Sequence, residues 1–178
     1  MNRIVFWSFA TLGSLFAVKA IRLPAQASVD PTPLPPFKPV ILAQSRFDAQ
    51  LLQLTNEQRR RAGLQPLRLS SKLGQAAQSH AGDMAKNNIF SHTGSNGSTM
   101  VDRIKSVGYS YSTIGENIAA GESNPQATIQ QWMNSPGHRR NILNPSFTEI
   151  GFGYTAAPNT QYRHYWVQVF GSPGGARR

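Results

Sequence analysis

The order of two hydrophobic patterns constrains the fold of this chain more than any other feature. Apolar residues recur at three- and four-residue spacing in the first half of the compact region, as at Leu73, Ala76 and Ala77. Residues 149–156 and 162–171 are instead rich in aromatic and β-branched residues. Helices followed by strands, without strand–helix–strand alternation, predict an α+β fold in which helices cover a sheet.

Local signals predict where these elements begin and end. The first helix ends before Gly63, and a second begins at a Ser70 or Ser71 cap. Two further helices are predicted, one over residues 99–106 and one that begins at Asn124-Pro125 and is broken at residues 135–137. The two C-terminal strands form a hairpin around a turn at residues 157–160, and a third strand is expected near residues 113–119.

The first 27 residues have the three parts of a secretory signal peptide. A positive start precedes an uncharged apolar run at residues 4–18, and Ala25-Gln26-Ala27 supplies small residues for cleavage. A retained anchor is the alternative, because Lys19 and Arg22 follow the run, which is shorter than the roughly 20 residues that span a bilayer. We therefore expect a protein that is secreted or held in the periplasm or cell envelope, without a retained transmembrane helix.

Composition divides the rest of the chain. Residues 28–44 contain five prolines and predict an extended linker, which is either a spacer that lifts the domain off a surface or an inert leader. Residues 45–171 form the predicted domain, and residues 172–178 a flexible tail. Removal of the signal peptide lowers the net charge from +10 to +7. This basic excess favours anionic envelope polymers or lipids as partners.

The basic run at residues 59–61 allows two interpretations. A solvated helix end is favoured, because arginines in a last turn interact well with the helix dipole. A nucleic-acid patch is the alternative, but no aromatic residues alternate with these arginines and no nucleic-acid-binding motif occurs. We therefore expect no nucleic-acid partner.

The residue inventory excludes several chemistries. The chain has no cysteine, which rules out disulfides, thiol catalysis and Cys-ligated zinc. The motifs H-E-x-x-H, G-x-S-x-G, G-x-x-x-x-G-K-[ST] and G-x-G-x-x-G do not occur either, so zincins, serine hydrolases, P-loop proteins and dinucleotide-binding proteins lack their usual signals.

Three residues remain as candidates for a site. Glu116 is the one charged residue in an otherwise uncharged segment, and a buried carboxylate needs a partner. His92 and His138 are the candidate partners, since both lie in turn-rich segments of the kind that build clefts. A hydrogen-bonded structural cluster, a divalent-metal site such as zinc, and acid–base catalysis are all compatible with this set. His80, on an apolar helix face, is expected to be a core histidine.

The chain resembles the CAP family (cysteine-rich secretory proteins, antigen 5 and pathogenesis-related proteins) in its bacterial, cysteine-free branch. The similarity extends over roughly residues 47–171, and its motifs follow the family's order. They are residues 56–59 (NEQR), 62–67 (AGLQPL), 76–85 (AAQSHAGDMA), 90–92 (FSH), 115–119 (GENIA), 132–143 (WMNSPGHRRNIL), 149–153 (EIGFG) and 165–170 (YWVQVF).

This resemblance implies an α–β–α sandwich with a small antiparallel sheet and a cleft lined by two histidines and two glutamates. His92 and Glu116 match two members of that tetrad. The second glutamate would fall at Ser135 and the second histidine at Tyr165, so the full tetrad is not present. His138 resembles the substitute cleft histidine of the bacterial branch, and Glu149 is a further candidate.

Two functions follow from the resemblance. The first is an exported, non-enzymatic binding module with a His/Glu-lined cleft, since proteins of this kind bind sterols or other lipids in some lineages. The alternative is a divalent-metal-dependent hydrolase in which His92 and His138 are zinc ligands and Glu116 is a ligand or general base.

Overall fold

A computed structural model describes the backbone of residues 39–175 and the side chains of residues 47–175. The predicted signal peptide, residues 28–38 of the predicted linker and residues 176–178 lie outside the described residues. The helices are α1 (Pro39–Arg61), α2 (Ser71–Asn87), α3 (Met100–Ser106), α4 (Pro125–Asn134) and α5 (Pro136–Ile142), and the strands are β1 (Arg68–Leu69), β2 (Tyr111–Ala120), β3 (Glu149–Ala157) and β4 (Arg163–Pro173).

The predicted starts of α3 and α4 are confirmed by their caps, whereas α2 begins where predicted without a capping hydrogen bond from Ser70. Thr99 and Asp102 form a reciprocal capping box at the start of α3, in which each side chain accepts a hydrogen bond from the other's backbone N–H. The side chain of Asn124 accepts from the N–H of Ala127 at the start of α4. The second helix begins after Ser70 and ends at Asn88, whose backbone is left-handed with φ of 50°.

The sheet has the strand order β1-β3-β4-β2. The hairpin of β3 and β4 is antiparallel, as predicted, and β2 pairs antiparallel with β4 at one edge. The two-residue β1 was not predicted, because a strand of that length has no period to detect. Since β1 runs parallel to β3, the sheet is mixed rather than wholly antiparallel. The α+β fold class is confirmed.

Alternation along β4 divides the core into two layers. Tyr165, Val167 and Val169 pack with α2 and α3 on one face of the sheet, whereas Trp166 and Phe170 pack with α1, α4 and α5 on the other. Successive side chains of a strand point to opposite faces, so a strand buried on both sides needs apolar residues at both sets of positions. The result is the α–β–α sandwich that the resemblance implied.

Two glycines of β3 allow α2 to lie directly on the sheet. A Cβ atom at Gly151 would collide with the backbone of Leu73 and Gly74, and one at Gly153 would collide with the backbone of Ala77. The absence of side chains at these two positions therefore sets the close helix–strand spacing.

Three boundaries differ from the predictions. Helix α1 begins at Pro39, inside the predicted linker, because proline fits the first turn of a helix. The break predicted at residues 135–137 is a junction, since Pro136 starts the short helix α5. Strand β4 continues to Pro173, two residues into the predicted tail.

Arg59 is a buried structural residue and not part of a solvated helix end. Arg60 and Arg61 are exposed, as predicted, but the Arg59 residue is 1% exposed. Burial lowers the pKa of its guanidinium below its ordinary value. The guanidinium donates hydrogen bonds to four carbonyl oxygens, those of Gln65, Ile142, Asn144 and Phe147. It thereby joins the loops that follow α1 and α5.

Replacing Arg59 should therefore destabilise the folded protein. We expect Arg59→Ala to lower the free energy of unfolding by at least about 3 kcal/mol, because it leaves several buried carbonyls without a donor. Arg60→Ala, which removes the same charge from the exposed neighbouring position, should change it by no more than about 0.5 kcal/mol. Urea denaturation of both variants measures the difference. Equal effects would contradict the structural role of Arg59.

Candidate functional site

The site is built around the Glu116 carboxylate on β2, the edge strand of the sheet. The Glu116 side chain is only 3% exposed. Its Oε2 accepts a hydrogen bond from the Arg103 guanidinium at 2.9 Å, and its Oε1 accepts from the same nitrogen at 3.1 Å. Nδ1 of His92 lies 2.8 Å from Oε1. The prediction that this carboxylate is buried and paired is confirmed, but its main partner is an arginine.

Arg103 ties the carboxylate to the surrounding loop. It lies on α3, one turn after the Thr99 cap, and its side chain is 8% exposed. Besides Glu116, its guanidinium donates to the carbonyl oxygens of Ser98 at 3.0 Å and His92 at 3.0 Å. The guanidinium therefore holds the backbone that carries His92 as well as the carboxylate that His92 contacts.

His92 presents its ring to solvent while one ring nitrogen is fixed. Its side chain is 57% exposed. Burial raises the pKa of Glu116, but the His92 hydrogen bond and the Arg103 charge outweigh burial and lower it overall, so the carboxylate is ionised at neutral pH. An ionised carboxylate only accepts hydrogen bonds, so Nδ1 of His92 is the donor, and in the neutral tautomer that this bond selects Nε2 is the acceptor. A cavity of about 300 Å³ lies beside this pair, lined by His92, Thr93, Thr99, Met100 and Glu116.

His80 lies behind the carboxylate. Its ring on α2 is fully buried, as the apolar helix face predicted. Its Nε2 lies 2.9 Å from the carbonyl oxygen of Ser91 and 4.0 Å from Oε1 of Glu116. Among the described residues its Nδ1 has no hydrogen-bond partner. Burial lowers the pKa of His80 and outweighs the attraction of Glu116, so the ring is neutral at pH 7.

His138 is brought to the same edge of the sheet by α5. Its carbonyl oxygen accepts from Nδ2 of Asn117 at 3.1 Å, and Asn141 donates both to Oδ1 of Asn117 at 2.8 Å and to the Glu116 carbonyl oxygen at 3.1 Å. The ring is half-buried. Burial lowers the pKa of His138, and the charge of the nearby His92 lowers it further.

The two additional candidates, Ser135 and Glu149, make different contacts from those of His92, Glu116 and His138. Ser135 joins α4 to α5, and its side chain makes no capping hydrogen bond to α5. Glu149, at the start of β3, accepts a 2.9 Å hydrogen bond from the Tyr109 hydroxyl. The structure therefore brings His92, Glu116 and His138 to one region and uses Glu149 elsewhere.

The residues that are present do not fit a metal ion. Both oxygens of Glu116 already accept hydrogen bonds from Arg103, which places a positive charge where a cation would bind. Within residues 47–175, no group of three or more histidine, aspartate or glutamate side chains is placed to share a metal. His92 and His138 would remain as two ligands, fewer than the three protein ligands of catalytic zinc sites.

Sequence reasoning missed Arg103 because it considered only histidines as partners of Glu116. A buried carboxylate needs compensation, and an arginine offers planar, two-pronged donation that a histidine lacks. The available signal was the spacing of α3: Met100, Arg103 and Ile104 lie on one helical face, so the arginine belongs to the stripe that packs inward.

The fold and the His92–Glu116 pair at the edge of its sheet define a class of protein, an α–β–α sandwich with a carboxylate-anchored histidine. The family model described as "CAP: Cysteine-rich secretory protein family" matches residues 52–170. The chain therefore belongs to the CAP family, and the resemblance drawn from its motifs is confirmed.

Two bacterial proteins are similar to this chain in sequence. The uncharacterized protein YkwD of Bacillus subtilis (strain 168) is 40% identical over 126 residues, which cover 71% of this chain and 47% of YkwD. The uncharacterized membrane protein YlbC of the same strain is 34% identical over 127 residues, 71% of this chain and 35% of YlbC. The chain thus spans less than half the length of either relative.

A solved structure agrees with the fold. It is the 1.5 Å crystal structure of an extracellular protein containing an SCP domain from Bacillus anthracis (strain Ames), which is 34% identical. The TM-score is 0.66, and the match covers 78% of this chain and 45% of that chain.

The Glu116 carboxylate should contribute strongly to the stability of the folded protein. We expect Glu116→Gln to lower the free energy of unfolding by about 3–5 kcal/mol, because it leaves the buried Arg103 charge without its partner. Glu122→Gln, which removes the same charge from an exposed position, should have little effect. Chemical denaturation compares the two. An effect of Glu116→Gln as small as that of the control would mean that the carboxylate is solvated.

Stability should also depend on pH through His80. Because its pKa is lowered in the folded state, only the unfolded chain takes up this proton just below pH 6.5. The free energy of unfolding should therefore fall as the pH drops from 6.5, by up to about 1.4 kcal/mol per pH unit for one group. His80→Gln should reduce that slope between about pH 6.5 and 5. Met84→Ala, a core change on the same helix, should lower stability but keep the slope, and an unchanged slope in His80→Gln would contradict the assignment.

Proposed function

We propose that this chain is an exported, non-enzymatic binding module of the cell envelope or extracellular space, and that the cleft at His92, Glu116 and His138 is its ligand site. The observation that carries the proposal is the state of His92. Its imidazole is more than half exposed, yet its orientation is held by a buried carboxylate at 2.8 Å.

That arrangement suits recognition of an organic ligand. The fixed Nδ1–H makes Nε2 the acceptor of the neutral ring, and His92 lines a small cavity together with the polar Thr93 and the apolar Met100. A few placed polar groups in a partly apolar concavity are typical of small-molecule sites. The ligand would be held by the ring edge of His92 and by contact with the cavity wall.

The same geometry supports binding over catalysis. The one hydrogen bond of the His92 ring within residues 47–175 goes to Glu116, and no hydroxyl group there donates to its other nitrogen. A His–carboxylate pair needs an adjacent nucleophile or an activated water to carry out hydrolysis. We therefore assign the pair to ligand recognition.

The proposal of export rests on the signal peptide predicted for residues 1–27 and on similar proteins. The similar Bacillus anthracis protein is described as extracellular. Within residues 39–175, no helix has both the length and the apolar character needed to cross a membrane. The basic excess of the mature chain would concentrate it near anionic lipids or wall polymers.

Sedimentation with isolated cell envelopes tests this function in two steps. In low salt we expect the mature chain to sediment with the envelopes, and retention should fall severalfold as salt rises from about 0.05 to 0.5 M, since screening weakens charge attraction. His92→Ala should lower the retention that persists in high salt, whereas His164→Ala, a histidine hydrogen-bonded to Tyr154 at a distance from the cleft, should not.

The two parts of the proposal, electrostatic attraction to the envelope and ligand binding in the cleft, can fail separately. Retention that does not change with salt would remove the electrostatic part of the proposal. Equal retention of the two histidine variants in high salt, with both proteins folded by circular dichroism, would remove the cleft as the ligand site.

A further inference from the structure

Helix α5 contributes to the cleft through one of its faces. His138, Asn141 and Ile142 recur at three- and four-residue spacing, so they lie on the same side of the helix. Asn141 donates to the Glu116 carbonyl oxygen at 3.1 Å, and Ile142 is fully buried. The opposite side of α5 is therefore turned away from the packing that holds this helix on the sheet.

An open concavity of about 530 Å³ lies on that outer side of α5. Its lining combines positive charge with apolar surface and contains no acidic residue; the lining residues are Pro136, Arg139, Arg140, Leu143, Asn144 and Pro145. Residues 136, 139, 140 and 143 have the spacing of a single helical face. The concavity is thus formed by the outer face of α5 and the turn that follows it.

The two arginines of this concavity are not used by the fold. Arg139 and Arg140 are exposed, and neither side chain makes an ion pair or a hydrogen bond with another of residues 47–175. Arg59 and Arg103 differ, because each is buried and donates to several acceptors. Two adjacent unpaired guanidiniums attract an anion, and their planar shape matches the paired oxygens of a phosphate group.

The apolar part of the concavity favours a phospholipid over a water-soluble phosphate polymer. Pro136 and Pro145 are exposed and Leu143 is half-buried, so the arginines are bordered by surface that gains free energy on leaving water. A phospholipid layer presents phosphate groups next to an apolar phase. A hydrophilic polymer would satisfy the arginines but would leave the prolines and the leucine in contact with water.

We propose that the outer face of α5 is the surface by which this chain docks on anionic phospholipid membranes, with Arg139 and Arg140 bound to lipid phosphates. The inference rests on the proposed function, because it names the partner that the basic excess attracts and the surface that meets it. His138 lies on the same helix, so docking through α5 also holds the cleft close to the membrane.

Sedimentation with lipid vesicles tests the docking surface. The mature chain should bind vesicles of equal parts phosphatidylcholine and phosphatidylglycerol and should not bind phosphatidylcholine alone. Arg139→Gln/Arg140→Gln should lower the affinity for the anionic vesicles at least about tenfold, since each basic residue at an anionic surface contributes about fivefold. Both side chains are exposed and unpaired, so the variant should keep the wild-type melting temperature, and each single replacement should cause part of the loss.

A second double variant separates this surface from net charge. Lys86→Gln/Lys105→Gln removes the same amount of charge from exposed positions on α2 and α3, which cover the other side of the sheet. Charges farther apart than about 10 Å are screened at about 0.1 M salt, so this variant should bind within about twofold of the wild type. Equal losses in the two double variants would mean that net charge alone attracts the chain, and would overturn the docking surface.

Two further measurements identify the source of the phosphate. Inorganic phosphate should release the chain from the vesicles no better than sodium chloride of equal ionic strength, and preferential release by phosphate would indicate a site for a soluble anion instead. Binding to lipid-free wall polymer that depends on Arg139 and Arg140, without binding to vesicles, would likewise overturn the assignment to a membrane.

The two proposals fail by different results. Absence of vesicle binding would remove the docking surface but would leave the effect of His92→Ala on envelope retention as it is. Loss of that His92 effect would remove the cleft as the ligand site, whereas His92→Ala should bind the anionic vesicles as the wild type does.

Discussion

The ion pair between Glu116 and Arg103 is the interaction on which the rest of the site depends. It joins the edge strand β2 to helix α3, and through the carbonyl oxygen of His92 it also holds the loop that carries the exposed imidazole. A charge buried in this layer needs a partner of opposite sign, so neither residue can change alone. The position of His92 therefore follows from a contact that solvent hardly reaches.

A second, uncharged network fixes the opposite side of the same strand. Because side chains alternate along β2, Asn117 points away from Glu116 and bonds to Gln168 on β4 and to Asn141 on α5. Gln168 in turn donates to the Thr55 hydroxyl on α1. These hydrogen bonds connect four elements of the sandwich, β2, β4, α5 and α1, and bring α5, with His138, to the edge where Glu116 and His92 lie.

Sequence patterns predicted the features that are local in the chain. The Thr99 and Asn124 caps, the β3–β4 hairpin and the burial of Glu116 all follow from residues a few positions apart. The features that were missed depend on contacts between distant segments. Three of the four carbonyl acceptors of Arg59 lie more than 80 residues away, and β1 exists only because β3 lies beside it. The choice of Arg103 over the histidines as the main partner of Glu116 is likewise decided by the packing of α3.

The two buried arginines have different roles in this fold. Arg59 donates only to backbone carbonyls at loop ends, so its bonds hold segments together without affecting a site. Arg103 neutralises a carboxylate, and a buried ion pair adds little stability over well-packed apolar residues of similar size. Apolar replacements of Glu116 and Arg103 would keep α3 packed against β2, but His92 would lose its acceptor. The pair is therefore best explained by the imidazole that it orients.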